Sequence, residues 1–297
     1  MSSRKFWYYF MALRPWSFQA AIPSVTLGSL LAWKYQATWE LPKFFLSLAV
    51  ALSLQGAANL LNTYFDYVKG YDTEESYGDP TLVRGLLSIP EVWTLAIFMY
   101  FCSFLSLYFL ELVTRLDLMT LGKLFWVGVV LTYMYNGGVK GFALKYFALG
   151  DVAIYISFGP MMAVFGYLSQ CGEYSWLPVW YSIPVGLRVE AILHANNHRD
   201  LESDRRSGAI TVANLLGNSL SRHFMFVLLF FPYVFCLLQA YFLSYWYWVP
   251  LLSIPCAWQS FLTFRKENRR DIPAVIAQQH SIFSLLYLLA VWQQGVV

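Results

Sequence analysis

Charge is scarce in this sequence. Twenty lysine and arginine residues with 17 aspartate and glutamate make up 12% of 297 residues, about half the share usual in a soluble domain. So little charge excludes a disordered chain and a nucleic-acid-binding protein, and it argues against an ordinary water-soluble enzyme. Cysteine is scarce too. Cys102, Cys171, Cys236 and Cys256 lack CxxC spacing and lie mostly in apolar stretches, so they read as packing residues and a disulfide-stapled secreted module is excluded. The N-terminal MSSRKFWYYFMALRPW has no small-residue cleavage site after its apolar part, and no cleavable signal peptide is expected. No linker, low-complexity run or second composition regime interrupts the chain. One domain over 1–297 is the expectation.

Apolar residues are what the chain has in excess: 58% are A, V, I, L, M, F, W, Y or C, and 19% are aromatic. A bilayer span needs about 20 mostly apolar residues. Nine segments qualify, at 16–33, 43–65, 92–113, 119–136, 148–169, 178–197, 222–243, 245–264 and 273–293. The expected fold is therefore all-α, a multi-pass membrane bundle of nine helices.

Nine crossings make the charge distribution a test. The N-terminus and the loops after spans two, four, six and eight then share one side, which carries 15 of the 20 basic residues. The opposite side has Lys34, Lys43, Arg115 and Lys123, and Arg188 lies within the sixth span. By the positive-inside rule the rich side is cytoplasmic. Twelve of the 17 acidic residues crowd onto that same side. The rule does not require this, and dense mixed charge on one face points to a site.

Two segments stand out there. NLLNTYFDYVKGYD ends span two with Asn62, Asp66 and Asp72; NNHRDLESD ends span six with Asn196, Asn197, Asp200, Glu202 and Asp204. Asn62 and Asp66, Asn196 and Asp200, and Asp200 and Asp204 are each four apart, which stacks side chains on one helix face. Gly70 is expected to end the first helix and turn Asp72 back toward Asp66. Four spans separate the segments, so both helix ends fall on one side, as in a weak internal repeat. Carboxylate and amide oxygens suit Mg²⁺, which shares its shell with substrate phosphates. Facing acidic clusters repel unless cations bridge them, and a diphosphate between two Mg²⁺ ions fits. Lys69, Arg84, Lys145, Arg199, Arg205 and Arg206 sit among these acids. Arg199 and Arg205 interleave with them and are assigned to diphosphate oxygens; Lys69, Lys145 and Arg14 complete the basic set. The four histidines show no zinc spacing.

These residues resemble the UbiA superfamily of intramembrane prenyltransferases. ALRPWSF near the start, YNGG at 135–138 and KYFALGD at 145–151 extend the likeness over most of the chain. The wording is closest to the animal branch that makes menaquinone-4, then to the bacterial 1,4-dihydroxy-2-naphthoate prenyltransferases. The resemblance implies nine helices around a central cavity with cytoplasmic cap loops. It also implies Mg²⁺-dependent transfer of a polyprenyl group from its diphosphate to an aromatic quinol. Carried onto this chain, Asn62, Asp66 and Asp72 form one metal motif and Asn196 or Asn197, Asp200 and Asp204 the other, with Lys145 and Arg199 near the diphosphate. In the GDPTLVRG stretch, Pro80 and Arg84 stand where the animal branch shows Arg and Asp, and GGVKGFALKY looks about three residues longer. Both departures bear on the acceptor rather than the metals.

In such a reaction the allylic C–O bond breaks to leave diphosphate and a cation-like prenyl group, and an acceptor ring attacks. Asn62, Asp66 and Asp200 are the candidate catalytic residues. Tyr64, Tyr135 and Tyr155 are the candidates for a pocket shielding the cation. A UbiA-type terpene cyclase lacking an aromatic acceptor is one alternative, and a transporter or lipid-sensing protein is another. The expected setting is endoplasmic reticulum, Golgi or mitochondrial membrane in a eukaryote, plasma membrane in a bacterium. The prenyl length and oligomeric state are not legible.

Overall fold

The structure is a computed structural model that describes residues 3–74, 78–114, 116, 118–138, 142–266 and 271–295. Glu75, Arg115, Lys140 and the 267–270 end of the last basic cluster lie outside the described residues. Among the described residues thirteen α-helices follow one another: α1 Ser3–Ala12, α2 Ile22–Gln36, α3 Leu41–Val68, α4 Pro80–Val83, α5 Ile89–Thr114, α6 Leu118–Asn136, α7 Gly150–Ile156, α8 Met162–Cys171, α9 Leu177–Arg199, α10 Leu201–Ser207, α11 Val212–Phe242, α12 Ile254–Arg265 and α13 Ile272–Gln293. Among the described residues there is no strand, only an isolated bridge between Phe147 and Ile210.

Five of these stretches are long and apolar enough to cross a bilayer: Leu41–Val68, Ile89–Thr114, Gly150–Cys171, Val212–Phe242 and Ile272–Gln293. Three expected spans are not continuous α-helix, two broken by 3₁₀ turns and 148–169 by a π turn, and proline explains each. Over 16–33 a 3₁₀ turn at Pro15–Ala20 precedes α2, which has Pro23 in its first turn. Over 245–264 the first half, Tyr245–Ser253, is 3₁₀ with Pro250 inside, and α12 then starts with Pro255 in its first turn. A proline lacks the amide that a helix interior requires, so it serves at a first turn or interrupts. α9 misses the apolar standard because it carries Arg188 and Glu190 within its length.

α2 and α8 cross with almost no side chain between them. A Cβ on Gly28 would lie 2.0 Å from the Ala163 carbonyl oxygen, and one on Gly166 would lie 2.4 Å from that of Val25. Small residues allow this approach where lipid gives no hydrophobic drive between helices. Between α7 and α8 a π turn at Ser157–Met161 contains Pro160, and Ser24 on α2 donates a hydrogen bond to the Phe158 carbonyl beside it. Arg188 on α9 is fully buried, its guanidinium 4.7 Å from the Tyr233 ring and 4.3 Å from the Phe283 ring. Those rings belong to α11 and α13, so three helices close on one cation.

Candidate active site

α3 ends as its sequence anticipates. Gly70 takes φ +76, and the Tyr71 and Asp72 amides donate back to the Asp66 carbonyl at 2.8 and 3.2 Å. The turn thus carries Asp72 beside Asp66. α9 ends at Arg199, and α10 follows directly after Asp200. The Asp204 amide donates to the Asp200 carbonyl at 2.9 Å, so the four-residue register survives the break.

Each leading carboxylate is held by a base. Lys145 Nζ lies 2.6 Å from Asp66 Oδ1, and the Tyr146 hydroxyl donates to the same oxygen. Arg199 grips Asp200 with two parallel bonds, from Nε at 2.8 Å and Nη2 at 2.7 Å. Lys69 lies 4.6 Å over the Tyr146 ring, and Tyr71 stacks on that ring with centroids 4.4 Å apart.

Arg14 organises the other edge. It donates from Nη1 to Asn62 Oδ1 at 3.0 Å, from Nη2 to Thr63 Oγ1 at 3.1 Å, and from Nε to Asp79 Oδ2 at 3.1 Å. Asp79 in turn caps α4 through the Thr81 amide at 2.8 Å. Asn62 Nδ2 donates to Asn136 Oδ1 at 3.2 Å, which explains the YNGG run. Gly138 has φ +63, and a Cβ there would meet the Phe142 carbonyl oxygen at 1.6 Å. Only glycine permits that turn, which lets α6 end with Asn136 against Asn62.

The two motifs lie within electrostatic reach of each other. Burial pushes the Asp204 carboxyl up to about 7, with further contributions from the charges of Asp200 and Asp66, opposed by Arg199 and Lys145. The carboxyl of Asp72 likewise rises to about 7, through burial first and then Asp66, against the pull of Arg14. The Tyr71 phenol is raised by burial and by both Asp66 and Asp204. Burial lowers the Lys145 ammonium and outweighs the attraction of Asp66. A backbone stitch fixes the junction: Ala148 N donates to Ile210 O at 2.6 Å and Ile210 N to Tyr146 O at 3.0 Å. The loop carrying Lys145 and Tyr146 is thereby tied to the chain just beyond the second motif.

Other candidates go elsewhere. Tyr64 packs edge-on to Trp93 with centroids 5.0 Å apart, in the outer cluster with Leu60 and Leu87. Tyr155 lies against Gly186 of α9. Arg205 is exposed, while Asn196 and Asn197 are half-buried near the end of α9. Tyr135 rests over Gly150 and lies within electrostatic reach of Asp151, Asp66 and Glu190. His194 and His198 both bond Ser221 Oγ at 2.8 Å, joining α9 to α11. Sequence reasoning passed over Tyr146, Asn136, Asp79 and the buried Asp151–Glu190 pair. Tyr146 and Asn136 lie inside motifs that were noticed for their neighbours, whereas nothing in the local pattern marks Glu190.

Among the described residues no three histidine, cysteine or carboxylate side chains are close enough to hold a metal by themselves. The oxygen donors still fit Mg²⁺, which uses one or two carboxylates and completes its shell with water and phosphate. The raised Asp72 and Asp204 carboxyls reflect burial first and the neighbouring carboxylates second, and a cation at either oxygen would favour the ionised form.

A profile of the UbiA prenyltransferase family matches residues 21–286. UbiA prenyltransferase domain-containing protein 1 of Gallus gallus is 40% identical over 286 residues, covering 95% of this chain and 84% of its own length. Its Homo sapiens counterpart is 38% identical over 284 residues, with 95% and 82% covered. Among solved structures, a UbiA homolog from Aeropyrum pernix in the apo state superposes with TM-score 0.69 at 16% identity, covering 92% of this chain and 97% of that one. A UbiA homolog from Archaeoglobus fulgidus bound to GPP and Mg²⁺ gives TM-score 0.61 at 14% identity, with 96% and 99% covered.

Proposed function

The chain belongs to the UbiA prenyltransferase family, and on that premise we propose that it transfers a polyprenyl group from its diphosphate to an aromatic quinol or naphthoquinol in lipoquinone synthesis of the menaquinone type. In this reading residues 1–297 work as one domain of nine spans, with the acidic helix ends on the cytoplasmic side. The observation that supports it is that Lys145, paired with Asp66 at the end of α3, lies in a loop stitched to Ile210 just beyond the second motif, with Asp66 and Asp204 within electrostatic reach of each other.

Two Mg²⁺ ions, when bound, neutralise the charge that builds on the departing diphosphate. Asp66, Asp72 and Asn62 would hold one ion, and Asp200, Asp204 and Asn196 or Asn197 the other. Lys145 and Arg199, which pair with Asp66 and Asp200, would turn to diphosphate oxygens, with Arg14, Lys69 and Arg205 at the rim. The allylic C–O bond breaks and its electron pair stays with the diphosphate. A ring carbon of the acceptor forms the new C–C bond to the allylic carbon, and the ring then loses its proton. Preset charges of this kind lower the barrier because they need not reorganise as the leaving group becomes anionic. Tyr135 and Tyr155 offer π faces to the prenyl cation, and Asn62, fixed by Arg14 and Asn136, orients the acceptor.

The test is product analysis by mass spectrometry. The full chain in lipid nanodiscs is given geranylgeranyl diphosphate, Mg²⁺ and a panel of naphthoquinols and benzoquinols. A prenylated quinol that disappears in Asp66→Asn and Asp200→Asn supports the proposal. No prenylated product from any acceptor refutes it, and a cyclic hydrocarbon released without acceptor reassigns the chain to terpene cyclisation.

A further inference from the structure

The start of α11 and the end of α12 enclose a cavity of about 620 Å³, lined by Asn218, Ser219, Arg222, His223, Phe226, Phe261 and Arg265. Its floor is aromatic: Phe226 and Phe261 meet edge to face with centroids 5.4 Å apart. Arg222 lies four residues before Phe226 and Arg265 four after Phe261. On antiparallel helices this lifts one guanidinium from each helix a turn above the rings. Gly217 breaks the helical path with φ 67 and ψ 175, so Asn218 and Ser219 begin the straight part of α11 at the cavity rim.

We propose that this cavity binds the phosphate of an anionic headgroup, clamped between Arg222 and Arg265. Guanidinium forks match phosphate oxygens in pairs, which an ammonium cannot do. The volume lies within the range of about 300–1,000 Å³ typical of small-molecule sites, larger than a lone inorganic ion needs. Depth favours a lipid as the source. Phe226 is 41% exposed and Leu220 is 58% exposed on the same helix, so apolar side chains face outward at the level where the basic pair begins. Basic pockets between helices at that level are how bundles recognise anionic lipids. The lining comes from α11 and α12 alone, although His198 near the end of α9 touches both helices through Ser221 and Phe264, and the site does not depend on the reaction proposed for the acidic residues.

The experiment is native mass spectrometry of the full chain released from detergent after titration with phosphatidylglycerol, phosphatidylcholine or inorganic phosphate. The wild type should retain phosphatidylglycerol in preference to phosphatidylcholine. Arg222→Gln and Arg265→Gln should each weaken retention about five-fold, and the pair together about 25-fold. A control pair, Arg4→Gln with Lys5→Gln, removes equal charge elsewhere and should bind as wild type. Retention of inorganic phosphate that the double variant loses keeps the site and assigns it to a free anion. Equal retention of both lipids, or a control pair that weakens binding as much as the double variant, overturns the proposal. Matching melting temperatures of wild type and double variant ensure that a lost fold is not read as a lost site.

Discussion

Lys145→Met separates the two tasks assigned to the base beside Asp66. Its Nζ lies 2.6 Å from Asp66 Oδ1, with the side chains 9% and 17% exposed. At an effective dielectric of about 20 the gross attraction at that separation is roughly 6 kcal/mol. Burial still lowers the Lys145 ammonium below its ordinary value, so desolvation more than offsets that attraction. Breaking a fully buried pair costs about 3–5 kcal/mol. Here the Tyr146 hydroxyl stays on Asp66, and the net loss without metal should be about 1–2 kcal/mol.

Metal and substrate then move in opposite directions. Without a competing ammonium, Asp66 should bind Mg²⁺ about ten-fold more tightly, the equivalent of about 1.4 kcal/mol. The diphosphate loses a charged donor, and kcat/KM at saturating Mg²⁺ should fall about 100-fold, the lower end for removing one donor from a developing anion. Thermal melts across a Mg²⁺ titration give the first quantity, and steady-state prenylation gives the second. If Mg²⁺ affinity is unchanged or weaker while kcat/KM holds, Lys145 is not the counter-charge that metal displaces, and the reasoning fails.

Stability should depend on pH with an unusual sign. Asp72 and Asp204 titrate at about 7 in the fold against 3.8 as the ordinary value. Between those values the folded state holds more protons than the unfolded one. Each group's stabilising contribution is therefore complete below pH 3.8 and is lost as pH rises through about 7, at up to about 1.4 kcal/mol per pH unit. Melts in EDTA should fall from pH 5 to pH 8, with Mg²⁺ restoring more at the upper end; a flat EDTA profile refutes the assignment. Tyr146→Phe keeps the ring against Tyr71 and removes the bond to Asp66, so kcat/KM should drop about 10-fold while the melting temperature holds. Gly28→Ala forces a methyl to within 2.0 Å of the Ala163 carbonyl and should destabilise by about 1–3 kcal/mol or more, visible as a lower melting temperature. Arg188→Met replaces a buried cation whose Nε and Nη2 lack partners, and should leave the melting temperature unchanged or higher; a marked drop means the cation–ring contacts dominate.

Some of this was legible in the sequence because its cause is local. Apolar runs have to be helices in a bilayer, since no other element satisfies its own amides there. An Asx residue four before an aspartate on a helix shares a face with it, and Gly70 had to end α3 for Asp72 to return. What escaped depends on contacts between distant segments. Tyr146 gains its place only through the stitch to Ile210, and Asn136 only because Gly138 lets α6 end against Asn62. The interruptions at Pro15–Ala20 and Tyr245–Ser253 were written in their prolines, yet hydropathy averages over backbone chemistry and overlooked them. The neighbours of Tyr64 were not legible for a related reason. It is two residues from Asn62 and two from Asp66, and on a helix that spacing turns it toward a different face, where Trp93 meets it.

The same geometry explains why these carboxylates need bases of their own. With Asp66, Asp72, Asp200 and Asp204 gathered in one patch, an empty site left with carboxylates alone would repel itself. Lys145 and Arg199 act as resident cations that the fold supplies from the α6–α7 loop and the end of α9. Lys145 sits in a loop and Arg199 at a helix end, so in the proposed reaction their exchange for Mg²⁺ would call for side-chain movement rather than the shift of a helix. A chain that used fixed interior arginines for this purpose would be stable without metal and slow to accept it. Arg188, buried among Tyr233, Phe283 and Gln279, is built in that fixed manner, and it lies among packing side chains rather than at the acidic helix ends.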